Sequence, residues 1–190
     1  MRAGYVRSWL TGVWIFLFAA AFSLFLNQLF LIGQVASWSE TYAAVEQDQF
    51  SQSFGMGLLL YGIFAPILEE LLFRLLIQNG LNRLFRTGIR GRRIVLVVSA
   101  LAFACYHGNL VQGLFAFPMG ILMALLFDLT GNLMAPILFH VSANLTTWIV
   151  SDIRGFIQGS AGIWLCLIYG LMSAILGVVA IKNYSFLKKE

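Results

Sequence analysis

Apolar stretches long enough to cross a membrane recur along this chain of 190 residues, and they limit its fold more than any other feature. A helix needs roughly 20 mostly apolar residues to cross a hydrocarbon core about 30 Å thick, because it rises about 1.5 Å per residue. The chain is 60% hydrophobic and only 11% charged, whereas a soluble domain is about half apolar and roughly a quarter charged. We therefore predict an all-α protein, a polytopic transmembrane helix bundle that forms a single domain over residues 1–190.

Six apolar segments predict about six membrane helices. They cover residues 9–36, 54–82, 93–107, 111–129, 133–151 and 161–182. A polar, acidic linker is expected at 37–53, a basic linker at 82–93, and a tight turn at Gly131-Asn132. The N-terminal segment begins like a signal peptide, but its apolar run is too long for one, so we expect a retained first helix.

The distribution of basic residues predicts the topology. Ten of the twelve Lys and Arg residues lie before the first helix, between the second and third, or after the sixth. In a six-helix bundle these three groups share one side, and cytoplasmic loops are enriched in Lys and Arg. We therefore expect an integral, multi-pass protein of the cell membrane with both termini in the cytoplasm (N-in/C-in). Because the positions of the charges explain the net charge of +4, no nucleic-acid partner is expected.

Three charged residues lie inside the apolar second helix: Glu69, Glu70 and Arg74. An ionisable side chain in the bilayer is costly unless it is paired or faces an interior cavity, so a functional role is the default hypothesis. Glu70 and Arg74 are four residues apart on one helix face, which predicts an ion pair. For that pair, a purely structural role between helices is as plausible as a direct one. Glu69 lies about 100° around the helix without an evident partner, which favours chemistry.

Both histidines also lie in predicted apolar helices. His107 follows Phe103 by one helical turn, and His140 precedes Asn144 by one turn. A lone membrane histidine is usually an interhelical hydrogen-bonding residue. Here, residue counts place Glu69 and the His107, His140 and Asn144 side chains within roughly 12–21 Å of the cytoplasmic face. A carboxylate and an imidazole that share a water form a general base. A second imidazole with a carboxamide can stabilise an oxyanion, so the set predicts amide hydrolysis by activated water.

The ordered motifs resemble those of the CPBP family of intramembrane proteases, named for CAAX proteases and bacteriocin-processing enzymes and also called Abi. The family pattern EExxxR, FxxxH and HxxxN is matched by Glu69-Glu70…Arg74, Phe103…His107 and His140…Asn144. The motif core spans about residues 65–148. The resemblance implies an intramembrane endopeptidase that acts in the lipid bilayer on peptides or proteins, including lipidated ones. It also implies that Glu70 and Arg74 brace the helix and tune its other carboxylate.

The remaining roles follow from the same resemblance. Glu69 would activate the water and His107 would help to hold it, while His140 and Asn144 would form the oxyanion site. Zinc is the open alternative, because Glu69, His107 and His140 can supply three ligands and leave a fourth position open. The chain has no HExxH motif and Asn144 is a poor zinc ligand, so we favour the glutamate-type mechanism with no cofactor.

Two other function classes fit the same polar cluster. A non-catalytic membrane immunity factor or peptide-binding protein could use it to hold a peptide. A proton-coupled transporter could use intramembrane Glu and His as a relay, although six helices without an internal repeat make that class less favoured.

Overall fold

The computed structural model describes residues 2–85, 88–152 and 157–187, and nearly all of them are helical. No strand occurs in these three ranges, which confirms the predicted helical bundle. Its helices are α1 (Arg2–Ile32), α2 (Glu40–Ser51), α3 (Phe54–Phe85), α4 (Gly88–Tyr106), α5 (Leu110–Thr130), α6 (Met134–Asp152) and α7 (Gly159–Leu187).

Within the described ranges, four helices are long and apolar enough to cross a membrane. They are α1 over Thr11–Ile32, α3 over its whole length, α5, and α7 over Gly159–Lys182. The other two predicted spans are helical but less apolar, since α4 begins with three arginines and α6 carries His140 and Asn144. The chain is an integral, multi-pass membrane protein. Six crossings and the N-in/C-in topology stay predictions.

The acidic segment expected to be a linker is largely helical. α1 ends at Ile32 and not at residue 36, because Gln34 takes a left-handed conformation at φ 50°. A short 3-10 turn, Val35–Trp38, then leads into α2. Ser39 begins α2 as an N-cap, and its hydroxyl accepts a hydrogen bond from the Tyr42 amide. This capping stabilises a helix that the polar composition had concealed.

The bundle is organised around α3. α1 packs along α6 and α7, α4 pairs with α5, and α3 contacts both α4 and α6. Phe73, Phe103, Met123 and Phe139 are core residues contributed by α3 to α6. Gly120 lets α5 approach α4, because a β-carbon there would lie 3.2 Å from the Ala100 Cα atom. Because α3 contacts both α4 and α6, it lies between the helices that carry the two histidine motifs.

The two ends of the bundle differ in charge. α2 lies next to the N-terminal end of α3, whereas Arg83 and the arginines of α4 lie at its C-terminal end. At that basic end, Arg92 and Asp128 form an ion pair between α4 and α5. Gly131 ends α5 at φ 62°, so the predicted turn is present. Arg86 and Arg154 lie outside the described residues.

Candidate active site

The two glutamates of α3 lie between two π-helical segments. The backbone is π-helical at Leu60–Phe64 and Leu71–Gln78, and α-helical at Ala65–Glu70 between them. π-helical turns change the facing of side chains within a helix and are frequent at functional sites. The directions of the Glu69, Glu70 and Arg74 side chains therefore depend on these π-helical turns. The apolar periodicity of the sequence does not reveal them.

Pro66 explains why a side chain from α6 contacts the backbone of α3. The Ala65 amide donates to the Leu60 carbonyl, five residues earlier. In that register the Tyr61 carbonyl would need a donor from Pro66, which has no N–H group. Asn144 supplies the missing donor, because its Nδ2 donates to the Tyr61 carbonyl at 2.9 Å. One N–H of the Asn144 carboxamide is thus used to hold α3 against α6.

The predicted ion pair between Glu70 and Arg74 is present and fully buried. Arg74 Nε donates to Glu70 Oε2 at 2.7 Å, and both side chains are 0% exposed. Arg74 Nη1 also donates to Ser99 Oγ on α4 at 3.0 Å. The guanidinium carbon lies 5.5 Å from the centre of the Phe103 ring, a cation–π distance. Arg74 therefore links α3 to α4 while compensating the Glu70 charge.

His140 lies between the two glutamates. Its Nδ1 is 3.1 Å from Glu70 Oε1, and its Nε2 is 3.7 Å from Glu69 Oε2. Since an ionised carboxylate only accepts hydrogen bonds, Nδ1 carries a proton and donates it to Glu70. Glu70 therefore fixes the orientation of the His140 ring, and Nε2 is directed toward Glu69. This link from Glu70 to His140 was not predicted, because it depends on the packing of α3 against α6.

His107 follows directly after the last residue of α4. Its Nδ1 is 2.9 Å from the Phe103 carbonyl, so this nitrogen is the protonated one and Nε2 is free for another partner. The Phe103 ring contacts both imidazoles edge-on, at centroid distances of 5.0 Å for His107 and 5.6 Å for His140. Phe103 thus contacts His107 twice, through its carbonyl oxygen and through the edge of its ring.

Four of the six predicted site residues line one cavity of about 740 Å³: Glu69, His107, His140 and Asn144. Glu70 and Arg74 lie behind this wall and contact it through His140. Glu69 is 17% exposed and His140 is 7% exposed, so both are sheltered but reachable from the cavity. The structure thus brings a carboxylate, two imidazoles and a carboxamide to one space that can hold water and part of a substrate.

The cavity extends from Glu69 to α2, which sequence reasoning had not included in the site. Tyr42, Glu46 and Gln49 of α2 line it. Burial, with the neighbouring Glu46 carboxylate as a second cause, raises the pKa of Tyr42 to about 12. Burial also raises the pKa of Glu46 above its usual range. The helical spacing of Tyr42, Val45, Glu46 and Gln49 was the sequence signal that could have revealed this wall.

The positions of the donor atoms bear on the zinc alternative. Across the part of the chain that the structure describes, no three His, Cys, Asp or Glu side chains are grouped closely enough to hold one metal ion. The His107 Nδ1 and His140 Nδ1 atoms are engaged by a carbonyl and a carboxylate, so Nε2 is the atom through which either ring would bind a metal. Whether activity needs a metal stays a prediction, which a chelator tests.

Comparison with known proteins is consistent with this arrangement. Residues 51–146 match the family model described as Rce1-like, type II CAAX prenyl endopeptidase. Neither the curated proteins nor the solved structures contain a significant match. The matched segment covers half of the chain and runs from the last residue of α2 into α6, so it contains every predicted site residue. The chain therefore belongs to the Rce1-like family of type II CAAX prenyl endopeptidases, which makes it an intramembrane peptide hydrolase of the CAAX type.

Proposed function

We propose that this protein hydrolyses peptide bonds of membrane-associated peptides or proteins with a water molecule activated by Glu69. The observation that carries the proposal is the position of the Glu69 carboxylate. It lines a sheltered cavity, its Oε2 lies 3.7 Å from His140 Nε2, and His107 lines the same space. A carboxylate placed in this way can take a proton from a water held beside it.

The reaction begins when that water attacks the substrate carbonyl and its proton passes to Glu69. His107 orients the water through Nε2, since its Nδ1 proton is engaged by the Phe103 carbonyl. The carbonyl oxygen becomes an oxyanion, and the carbon–nitrogen bond then breaks. Glu69 returns the proton to the departing amine, so protons and charge balance over the cycle.

The oxyanion is stabilised from the opposite helix. The second N–H of the Asn144 carboxamide is available, because only one is required by the Tyr61 carbonyl. His140 adds a second donor when its Nε2 carries a proton, while Nδ1 keeps its bond to Glu70. Glu69 and Glu70 lie on either side of the ring and fix its position. Donors held in place before the reaction contribute strongly, about 10²–10³ in kcat for a single one.

Glu70 and Arg74 act as positioning residues in this mechanism. Neither lines the cavity, but Glu70 joins the Arg74 guanidinium to the His140 ring. Arg74 in turn is held by Ser99 on α4. Substitution of Arg74 should therefore disturb the orientation of His140 without removing a group that contacts substrate.

The test is cleavage of membrane peptides by purified protein in detergent, with no ion gradient, followed by mass spectrometry. Wild type should cleave equally with and without chelator, and Glu69→Gln should cleave slower by about 10²–10⁴. Glu40→Gln is the matched control, because Glu40 is exposed on α2 and does not line the cavity.

Each alternative has its own outcome in this assay. Loss of cleavage with chelator and its return with zinc would replace the metal-free mechanism with a zinc-dependent one. Binding of peptide without cleavage by wild type would indicate a peptide-binding or immunity protein. Neither cleavage nor binding of peptide in detergent, with activity only in vesicles that hold an ion gradient, would indicate a transporter.

A further inference from the structure

One face of α2 is turned toward the cavity. Tyr42, Val45, Glu46 and Gln49 are partly buried, at the spacing of a single helix face. Three of these four are polar, and all three line the cavity that contains Glu69. Between them, Asp48 and its neighbours are exposed. A buried stripe that is mostly polar is unlike the apolar stripe of a helix that packs only against a core.

The Glu46 carboxylate lines this space, and the described part of the chain places no Lys or Arg beside it. Among the described residues that line the cavity there are two carboxylates, Glu46 and Glu69, and no Lys or Arg. Arg74 and Arg92, two buried or interhelical cations, are paired with Glu70 and Asp128. A partly dehydrated carboxylate is stabilised by an incoming cation, so this wall of the cavity is complementary to positive charge.

We infer that α2 is the wall that recognises the substrate, and that Glu46 binds a Lys or Arg side chain of the peptide being cleaved. This inference rests on the proposed function. The cavity is continuous from Glu46 to Glu69, so one extended peptide can contact both. Tyr42 and Gln49 flank Glu46 and can hydrogen-bond the peptide backbone or the cation.

The location of α2 adds a consequence for the substrate. The recognition wall lies at the end of the bundle opposite the arginines of α4. With the predicted N-in/C-in topology, that end faces away from the cytoplasm. The cationic residue is thus bound on the outer side of the scissile bond, and an acidic residue or a free terminal carboxylate at that place is disfavoured.

The test uses sets of three peptides that are identical except at one position, which is Lys, Gln or Glu. The varied position is moved along the peptide from one set to the next. For wild type, one position should show preferred cleavage of the Lys peptide over the Gln peptide by about tenfold in kcat/KM, mainly through KM, as expected for a hydrogen bond to a charged group. Glu46→Gln should abolish this preference, and Glu46→Lys should reverse it in favour of the Glu peptide. Asp48→Asn and Asp48→Lys make the same charge changes on the exposed face of α2 and should keep the wild-type preference.

Reversal of preference is the decisive result, because a merely structural role of Glu46 would lower activity for every peptide alike. Cleavage by wild type with no charge preference at any position, or a preference that survives Glu46→Lys, would overturn the inference and leave the proposed function standing. If no peptide is cleaved, the proposed function fails. Equilibrium binding of the Lys and Glu peptides to wild type and Glu46→Lys then decides the inference by the same reversal.

Discussion

The hydrogen bond from Asn144 to the Tyr61 carbonyl permits a test that separates structure from catalysis at one residue. Asn144→Ala removes the side-chain donor to this carbonyl, and Pro66 cannot replace it because it has no N–H group. Hydrogen bonds between membrane helices contribute about 0.6 kcal/mol on average and up to about 1.7 kcal/mol. We expect a loss of unfolding free energy in this range.

Pro66→Ala should compensate for that loss. It introduces a backbone N–H five residues after Tyr61, in the register that the Ala65 amide already uses with Leu60. In the double variant the Tyr61 carbonyl regains a donor, so the two substitutions should be non-additive, with a coupling energy of about 1 kcal/mol. Asn144→Asp should behave like Asn144→Ala, because an ionised carboxylate cannot donate.

The assays are reversible unfolding in mixed micelles and cleavage of a substrate peptide. In the double variant the free energy of unfolding should return toward the wild-type value. The cleavage rate should stay reduced by about 10²–10³, because the oxyanion donor is still missing. Strictly additive unfolding free energies would refute the argument that Asn144 replaces the proline amide. Recovery of cleavage together with stability would show that Asn144 acts on catalysis only through α3.

Three further expectations concern single contacts. Replacing Arg74 by Met leaves Glu70 buried without its cation and should cost about 3–5 kcal/mol of unfolding free energy; a stability near wild type in the same micelles would contradict this. Gly57→Ala places a β-carbon against the indole of Trp148 on α6 and should cost about 1–3 kcal/mol of unfolding free energy by overpacking. Gly55→Ala has nothing nearby and should be neutral, so equal effects of the two substitutions would contradict the packing. Because burial raises the pKa of Glu46, its share of stability is complete below the unfolded pKa and is lost as pH rises through the folded pKa. The Tm of Glu46→Gln should therefore exceed that of wild type near pH 7.5 and match it near about pH 4; a difference that is the same at both pH values would refute the sign.

The sequence predicted the parts of this molecule that depend on local pattern. Apolar length was sufficient for the long helices, and the four-residue spacing was sufficient for the Glu70–Arg74 pair. Local composition gave a wrong prediction at residues 37–53, where a linker was expected and α2 is present. Capping by Ser39 and tertiary burial stabilise this helix. The helix was hidden because most of its residues are polar.

The site shows the same division. Residue counting along the helices placed Glu69 and the two histidines at one depth, and the structure has them on one cavity wall. The contact of His140 with Glu70 depends on how α3 packs against α6, and no spacing in the sequence encodes it. The hydrogen bond from Asn144 to the Tyr61 carbonyl depends on the π-helical register before Pro66. That register is visible in the structure and not in the sequence pattern.

The central claim is that the Glu69 carboxylate removes a proton from the attacking water. It is tested most directly by single-turnover cleavage and equilibrium binding of the same peptide, measured for wild type and Glu69→Gln. The amide keeps the size of the side chain but cannot act as a base, so we expect cleavage slower by about 10²–10⁴ with unchanged binding. Cleavage by Glu69→Gln at the wild-type rate would contradict the account.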